Sequence, residues 1–412
     1  MYRFVCDLTT KEYTAFIQKA AYTPIQQTPQ WSLLKNNWDS CFCGVYRDEV
    51  LVCAALVLRR RLMPGFTMAF CPMGPVGELG DRGVVQCFVG GIHAYCKKTG
   101  VYQFKMMPPL AVNKTLPELD AARYLDAFDT EKDRAAFDLL VGCGLKHKGF
   151  PKDMGGTVLP RYQAFIPLKD ATGKPLDGAQ FKKNYKTKLR KYMGAFRPAR
   201  GLTYQTVTPT PENISRFKRL LAFTEARQNI ALRNEEYFTL LAKVFGEDAH
   251  FAFEVCHVDT YIENLKIRFE KEPEMREKIA EQIADAESVK QTHGEQPALA
   301  ALLTVYPGQA EGLRVAEYLY AGADLTVFPS FCATLCGLFD ECERSAAKGC
   351  DYLNLGGLPG TFDDGLYDFK APFNPIIVEY AGEFDLPVCG WKYAFMERWM
   401  PTLKSLYRKL RR

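Results

Sequence analysis

The sequence predicts a mixed α/β (α+β) fold in which one unit occurs twice, and three observations carry that reading. Strand-length apolar runs bounded by Gly and Pro alternate with segments of helical period. Two helix-to-strand junctions, Lys98-Thr99-Gly100-Val101-Tyr102-Gln103-Phe104 and Ala347-Lys348-Gly349-Cys350-Asp351-Tyr352-Leu353, share one pattern far apart in the chain. The unit each belongs to, a strand hairpin followed by strand, helix and strand, can bury one face of a sheet beneath a helix.

Taken in order, the chain opens with a helix around Thr10 to Ala20 and a Pro-interrupted stretch ending at Trp38. Cys41 to Tyr46 and Val50 to Arg59 flank Arg47, Asp48 and Glu49 and read as a hairpin. The second of these contains the longest apolar run, Val50 to Leu58, which Arg59, Arg60 and Arg61 halt; it falls well short of the roughly 20 residues of a membrane-spanning helix. Phe66 to Cys71 is a strand ended by Pro72-Met73-Gly74-Pro75. Val84 to Lys98 is a helix closed by Gly100, Val101 to Met106 a strand cut off by Pro108 and Pro109, and Glu131 to Val141 a helix ending at Gly142 and Gly144. In the second half, strands are expected at His250 to Cys256, Ala298 to Val305, Val315 to Ala321 and Tyr352 to Leu355, with a helix from Phe331 to Lys348 closed by Gly349. Asp259 to Thr292 is highly charged and free of Gly, with Tyr261, Leu265 and Phe269, then Met275, Ile279 and Ile283, at helical steps on either side of Pro273. This predicts two antiparallel helices forming a coiled-coil arm, which either braces the domain or binds a partner.

With 412 residues, 47% of them hydrophobic and 25% charged, the chain is globular and long enough for more than one domain. The 14 Cys contain no C-x-x-C pair and the five His are dispersed, so neither a disulfide framework nor a metal site is expected. The N-terminal residues lack the pattern of a secretory signal, and a cytoplasmic location is expected. The net charge of +5 is unevenly placed. Lys182 to Arg200 carries +8 without an acid, and Trp391 to Arg412 carries +6, which leaves −9 for the remainder. Basic surfaces of this kind suit phosphate-rich partners, either nucleic acid or an anionic membrane face, although a charge run is also an ordinary solvated helix face.

Six segments in order then carry a resemblance. They are Trp31-Ser32-Leu33-Leu34-Lys35-Asn36-Asn37-Trp38, the basic helix after Phe181, and Glu225-Ala226-Arg227-Gln228-Asn229-Ile230-Ala231-Leu232-Arg233. The charged arm, Tyr318-Leu319-Tyr320-Ala321-Gly322, and Gly365-Leu366-Tyr367-Asp368-Phe369-Lys370 followed by Glu379-Tyr380-Ala381-Gly382-Glu383 complete the set. Together they resemble the Fem peptidyltransferases over nearly the whole chain. The resemblance implies two tandem acetyltransferase-like (GNAT) domains, the first made of residues 1–158 with the C-terminal segment 379–412 returning to it, the second of residues 159–378 with the arm at 259–292. It implies transfer of Gly, Ala or Ser from aminoacyl-tRNA to the stem peptide of a peptidoglycan precursor, lipid II or the soluble UDP-linked muramyl pentapeptide. An ester donor is already activated, so no cofactor, ATP or metal is required.

Residue by residue, Lys35 and Arg233 match cations that hold the precursor's phosphates, a role for which a guanidinium fork and a compact ammonium suit. Lys370 matches the lysine at the reacting ester, where a fixed cation stabilises the oxyanion. Tyr102, Tyr237 and Tyr320 match aromatic positions lining the acceptor site. Each has a plainer reading as a surface ion pair, a solvated lysine or a core tyrosine. Where the family carries an acid, this chain has Lys105-Met106-Met107-Pro108-Pro109 and no carboxylate, so a general base from that place is not expected. The basic helix from Lys182 to Arg197, through Lys182, Lys183, Lys186, Lys188, Arg190 and Lys191, is expected to contact tRNA phosphates. The C-terminal segment with Trp391, Tyr393, Phe395, Trp399 and Tyr407 is expected to touch the inner face of the cytoplasmic membrane. Two other classes compete. An acyl-CoA-dependent N-acetyltransferase would need a glycine-rich pyrophosphate cradle, which neither Cys71 to Gly83 nor Thr326 to Ser330 supplies. A nonenzymatic RNA-binding protein would use the basic helix and the arm alone.

Overall fold

The computed structural model describes residues 1–116, 125–306, 308 and 311–399 and, for Lys188 and Met193, the backbone alone. In chain order its strands are β1 Tyr2–Val5, β2 Asp39–Arg47, β3 Val50–Met63, β4 Phe66–Cys71, β5 Val76–Gly77, β6 Val101–Met106, β7 Ala111–Thr115 and β8 Lys146–His147. They continue as β9 Tyr162–Pro167, β10 Leu202–Val207, β11 Ala249–Cys256, β12 Ala298–Val305, β13 Val315–Ala323, β14 Tyr352–Leu358, β15 Ile376–Tyr380 and β16 Phe384–Pro387. The helices are α1 Thr10–Ile17, α2 Pro29–Leu34, α3 Arg82–Lys98, α4 Thr130–Gly142, α5 Gly178–Asn184, α6 Thr187–Lys191 and α7 Arg197–Ala199. After these come α8 Pro211–Gln228, α9 Glu235–Phe245, α10 Val258–Lys271, α11 Arg276–His293, α12 Ala333–Ala347 and α13 Gly365–Lys370.

The expected mixed α/β architecture with two sheets is present. The first sheet runs β1, β2, β3, β4, β6, β16, β8, with β5 also paired to β3; the second runs β10, β11, β12, β13, β14, β9, β15, β7. Sheet membership does not follow chain order. β7 leaves the first half to pair with β15, and β16 returns from the C-terminal end to pair with β6, through Phe384↔Met106 and Leu386↔Phe104. Each half therefore lends the other a strand, and neither sheet is complete without the other.

Alternation along the strands of the second sheet sorts its side chains onto two faces. One face buries Tyr162, Ala164, Leu302, Ala316, Leu353 and Ile377 together with Phe339 and Cys342 of α12. The other buries Phe251, Phe253, Ala301 and Leu303 under Phe217 of α8 and Phe238 of α9, and continues as Val315, Phe165, Tyr352 and Val378. A fully buried Leu or Phe contributes roughly 1.5–3 kcal/mol, so either face alone suffices to hold its helices.

The segment Asp259 to Thr292 forms α10 and α11, whose ends meet where Lys290 pairs with Asp259 at 2.7 Å. Tyr261 packs its ring edge-on to Phe331 at 4.9 Å, and Leu265, Ile279 and Ala286 are buried in continuity with the domain core. The basic segment differs from the single helix expected. α5 stops at Asn184 and α6 restarts at Thr187, because Tyr185 leaves the helical conformation and buries its ring beside Phe181 and Phe373. A further break follows at Gly194, where φ/ψ is −94/−130. At the other end, residues 390–399 are helical, while Lys404, Tyr407 and the last four basic residues lie outside the described residues. No helix among the described residues is long and apolar enough to cross a membrane.

Candidate active site

The site is built around a break in the second sheet. β13 and β14 are parallel and pair through Val315↔Tyr352, Ala316↔Leu353 and Glu317↔Asn354, and there the ladder ends. Beyond it β13 stays with β12, through Leu303↔Tyr320 and Ala301↔Gly322, with a bulge between Leu303 and Thr304. β14 stays with β9, with its own irregularity between Asn354 and Gly357. Gly356 sits in that irregularity with φ +74, a conformation that side chains with a Cβ resist. The two strands diverge and leave a gap through the sheet.

Buried polar groups hold the crotch of this gap. Asn354 Nδ2 donates to Glu317 Oε2 at 2.9 Å and to Gln163 Oε1 at 2.8 Å, while its Oδ1 accepts from the Gly356 amide at 2.8 Å. Burial pushes the Glu317 carboxyl up to about 8, the Asn354 bond opposing the shift in part.

On the β14 lip stands Lys370. Asp364 caps α13 by accepting from the Tyr367 amide at 2.8 Å, and this fixes the short helix whose last turn carries the lysine. Lys370 is 4% exposed. Its Nζ donates to the carbonyls of Gly356 at 3.0 Å and Gly357 at 2.5 Å. Burial pulls its ammonium down to about 7, with Asp364 opposing the shift. An ammonium has three donors, and two are engaged, so one remains for another acceptor. The lysine lines a cavity of about 80 Å³ with Ala164, Leu358, Thr115, Ile377 and Lys186.

On the β13 side, the opposite face of the sheet carries a second cluster. Thr28 and Pro29 begin α2, which ends at Lys35. Asn229, in the left-handed conformation, closes α8, and the Asn234 side chain opens α9 by accepting from the Tyr237 amide, so the short link between them presents Arg233. These caps bring together residues distant in the chain. Lys35 Nζ lies 4.5 Å from the Trp31 ring centre and 5.7 Å from that of Tyr237, and Arg233 Cζ lies 5.2 Å from the Tyr237 ring. Tyr320, on the divergent part of β13, donates its hydroxyl to Tyr237 at 3.5 Å. Burial first, and the nearby Arg233 charge second, pull Lys35 down to about 8. Among the described residues no carboxylate pairs with Lys35 or Arg233, which leaves two adjacent cations on an aromatic floor, a setting made for an anion.

Lys35, Arg233, Tyr237 and Tyr320 thus form one cluster, whereas Lys370 stands across the sheet from them with the gap between. Tyr102 joins neither. It is buried on the first sheet against Phe66, Tyr393 and Met396, with its hydroxyl pushed up to about 12 by burial and then by Asp385 and Glu397. The alternation of β6 turns it onto that face. Lys183, Lys186, Arg190 and Lys191 are exposed and Lys182 half-buried, and Lys186 reaches the Lys370 cavity; the Lys188 side chain lies outside the described residues. Arg197 is withdrawn from any such surface, because it pairs with Glu254 at 2.9 Å and Asp340 at 2.6 Å. The Glu317–Asn354–Gln163 network escapes sequence reading, although the dipeptide Gly356-Gly357 within an apolar strand is the signal that marks its location.

The sequence model of the FemAB family matches residues 8–283 and 269–399. The aminoacyltransferase FemA of Staphylococcus aureus strain MRSA252 is 23% identical over 94% of this chain and 96% of its own length, and FemA of strain bovine RF122 / ET3-1 matches to the same extent. The crystal structure of FemX shares the fold, with a TM-score of 0.75 at 19% identity over 96% of this chain and 100% of that one.

Proposed function

This chain belongs to the FemAB family, and from that premise we propose that it is an aminoacyltransferase that builds the interpeptide bridge of peptidoglycan. The donor is an aminoacyl-tRNA carrying Gly, Ala or Ser. The acceptor is the stem peptide of a precursor whose diphosphate, in lipid II or in the UDP-linked muramyl pentapeptide, sits on Lys35 and Arg233. The observation that carries this reading is the gap between β13 and β14, with an unneutralised cation pair beside one lip and the buried Lys370 on the other.

In the reaction the acceptor amine attacks the ester carbonyl at the tRNA 3′ end. A C–N bond forms, a tetrahedral oxyanion appears, and the C–O bond breaks as the ribose hydroxyl leaves with a proton. The third N–H of Lys370 points its charge at the oxyanion, while the Gly356 and Gly357 carbonyls fix the ammonium and remove the need to reorient it. Tyr237 and Tyr320 border the path of the stem peptide. The exposed bases from Lys182 to Lys191 follow the tRNA backbone towards the cavity that Lys186 lines.

Membrane contact at the C-terminal helix belongs to the same proposal. Trp391, Phe395 and Trp399 are 67, 40 and 50% exposed and recur every fourth residue, so they share one stripe of the helix at 390–399. Vesicles containing anionic lipid are expected to retain the protein, and the variant with all three changed to Ser to be released.

The test is incubation with a panel of charged tRNAs and either precursor. Mass spectrometry is expected to show a stem peptide heavier by one amino-acid residue. Tight tRNA binding with no product from any donor would instead support the nonenzymatic reading.

A further inference from the structure

Resting on the donor assignment above, we propose that a cavity beside the Lys370 site is the seat of the terminal adenine of the tRNA. The cavity measures about 300 Å³, at the lower end of the volumes that hold small ligands. Its position follows from strand register. Ala164, Ile377 and Thr115 lie side by side across β9, β15 and β7 and floor the Lys370 cavity, whereas Tyr162, Glu379 and Asn113 lie two residues further along the same three strands. Residues two apart share a face. Both cavities therefore open on one face of the sheet, about 7 Å apart by the rise of two strand residues. That matches the reach from a ribose hydroxyl to the base of the same nucleotide.

The chemistry of the lining fits a base. Tyr162 and Phe362 meet edge-on at 5.7 Å, and the exposed Phe150 adds a third ring. Gly360 lets this wall close, because a Cβ there would lie 2.3 Å from the Tyr162 ring. At the edge of the seat Asn113 offers an amide, with both donor and acceptor, next to the Glu379 carboxylate that Arg161 holds at 2.7 Å. Lys152 supplies an exposed ammonium for the preceding phosphodiester. Stacking rings with an amide and a carboxylate at the edge read unpaired bases, and a lysine reads the backbone. The loop that carries Gly360 and Phe362 runs directly into α13, so base and ester are gripped by one continuous segment. Opposite, across the gap, lie the cations assigned to the acceptor, so the two substrates enter from different ends of the sheet.

The experiment measures binding of the full-length protein to a cytidylyl-adenosine dinucleotide carrying a 3′-glycylamide in place of the ester, and to the same molecule with an abasic final sugar. The adenine-bearing probe is expected to bind about tenfold more tightly than the abasic one. Phe362→Ala and Asn113→Ala are expected to erase that ratio without changing affinity for the abasic probe. Phe362→Leu, which keeps an apolar side chain while removing the ring, separates loss of stacking from loss of folding and is expected to erase most of it. Equal affinity of the wild type for both probes, or a ratio unaltered in all three variants, overturns the seat. If charged tRNA still supports transfer in that case, the donor assignment survives without it; a base-dependent ratio with no transfer from any charged tRNA preserves the seat and defeats the transferase reading.

Discussion

The two parallel strand junctions of the molecule look alike in sequence and behave differently. In the first sheet β4 and β6 stay paired from Thr67↔Val101 to Cys71↔Met106, and the Met107 amide extends the contact to the Cys71 carbonyl at 3.1 Å. In the second sheet the ladder between β13 and β14 ends at Glu317↔Asn354. The closed junction is plugged at its end by Gln27, whose amide donates to the Pro72 carbonyl at 2.6 Å and accepts from Leu56 at 2.8 Å, with the Tyr13 hydroxyl at 3.1 Å. The open one has Gly356 at positive φ, bulges on both flanks and a polar crotch. A duplicated unit thus supplies two potential clefts, and backbone irregularity selects the one that opens.

A pair of lysines exposes the contrast most sharply. Lys370 serves the open junction and makes no ion pair among the described residues. Lys105, on the closed one, pairs with Glu383 and, at 2.8 Å, with the fully buried Asp385. Lys370→Ala is expected to lower kcat by a hundred- to a thousandfold, equivalent to about 2.7–4 kcal/mol of oxyanion stabilisation. Lys105→Ala is expected to cost about 3 kcal/mol of stability by stranding buried carboxylates, while the folded variant retains its turnover. Steady-state kinetics and urea unfolding of both variants check the pair.

The same lysine gives opposite pH trends for rate and stability. If its protonated form stabilises the oxyanion, the rate is expected to fall about tenfold per unit above pH 7. Stability moves the other way. Between about 7 and the ordinary lysine value the unfolded chain binds more protons at this position than the folded one, so the contribution of Lys370 to stability rises with pH. Measuring rate and unfolding of the wild type and of Lys370→Met across pH 6.5–9.5, roughly the span over which the two forms exchange, checks both signs. The smallest effect is expected at the tRNA face, where Lys183→Ala and Lys191→Ala each reduce the slope of log affinity against log salt by about 1, independent of the donor.

Much of this architecture is legible in the chain. Apolar runs bounded by Gly and Pro locate β4, β6 and β12 at their observed ends, and Gly100 and Gly349 mark the closures of α3 and α12. β7 and β16 are not legible as exchanged strands, because pairing across the two halves depends on tertiary contacts that leave no local pattern. The broken basic segment was hidden by its own composition. A run of Lys and Arg reads as one helix until the burial of Tyr185 is known. Of the candidate site, the charges are visible and their arrangement is not: Lys35 and Arg233 meet through caps at Thr28, Asn229 and Asn234, and Tyr102 differs from Tyr237 and Tyr320 only in which sheet its strand joins.

The central claim is that the gap separates two binding surfaces, acceptor phosphates on one face and donor ester on the other. The most direct test is the steady-state kinetics of the Lys35→Ala/Arg233→Ala double variant with each substrate varied in turn. The account predicts an acceptor KM raised at least about tenfold by loss of charge-assisted hydrogen bonds, an unchanged donor KM, and full kcat at saturating acceptor. A donor KM that rises in step, or a kcat that collapses while the acceptor KM holds, would contradict it.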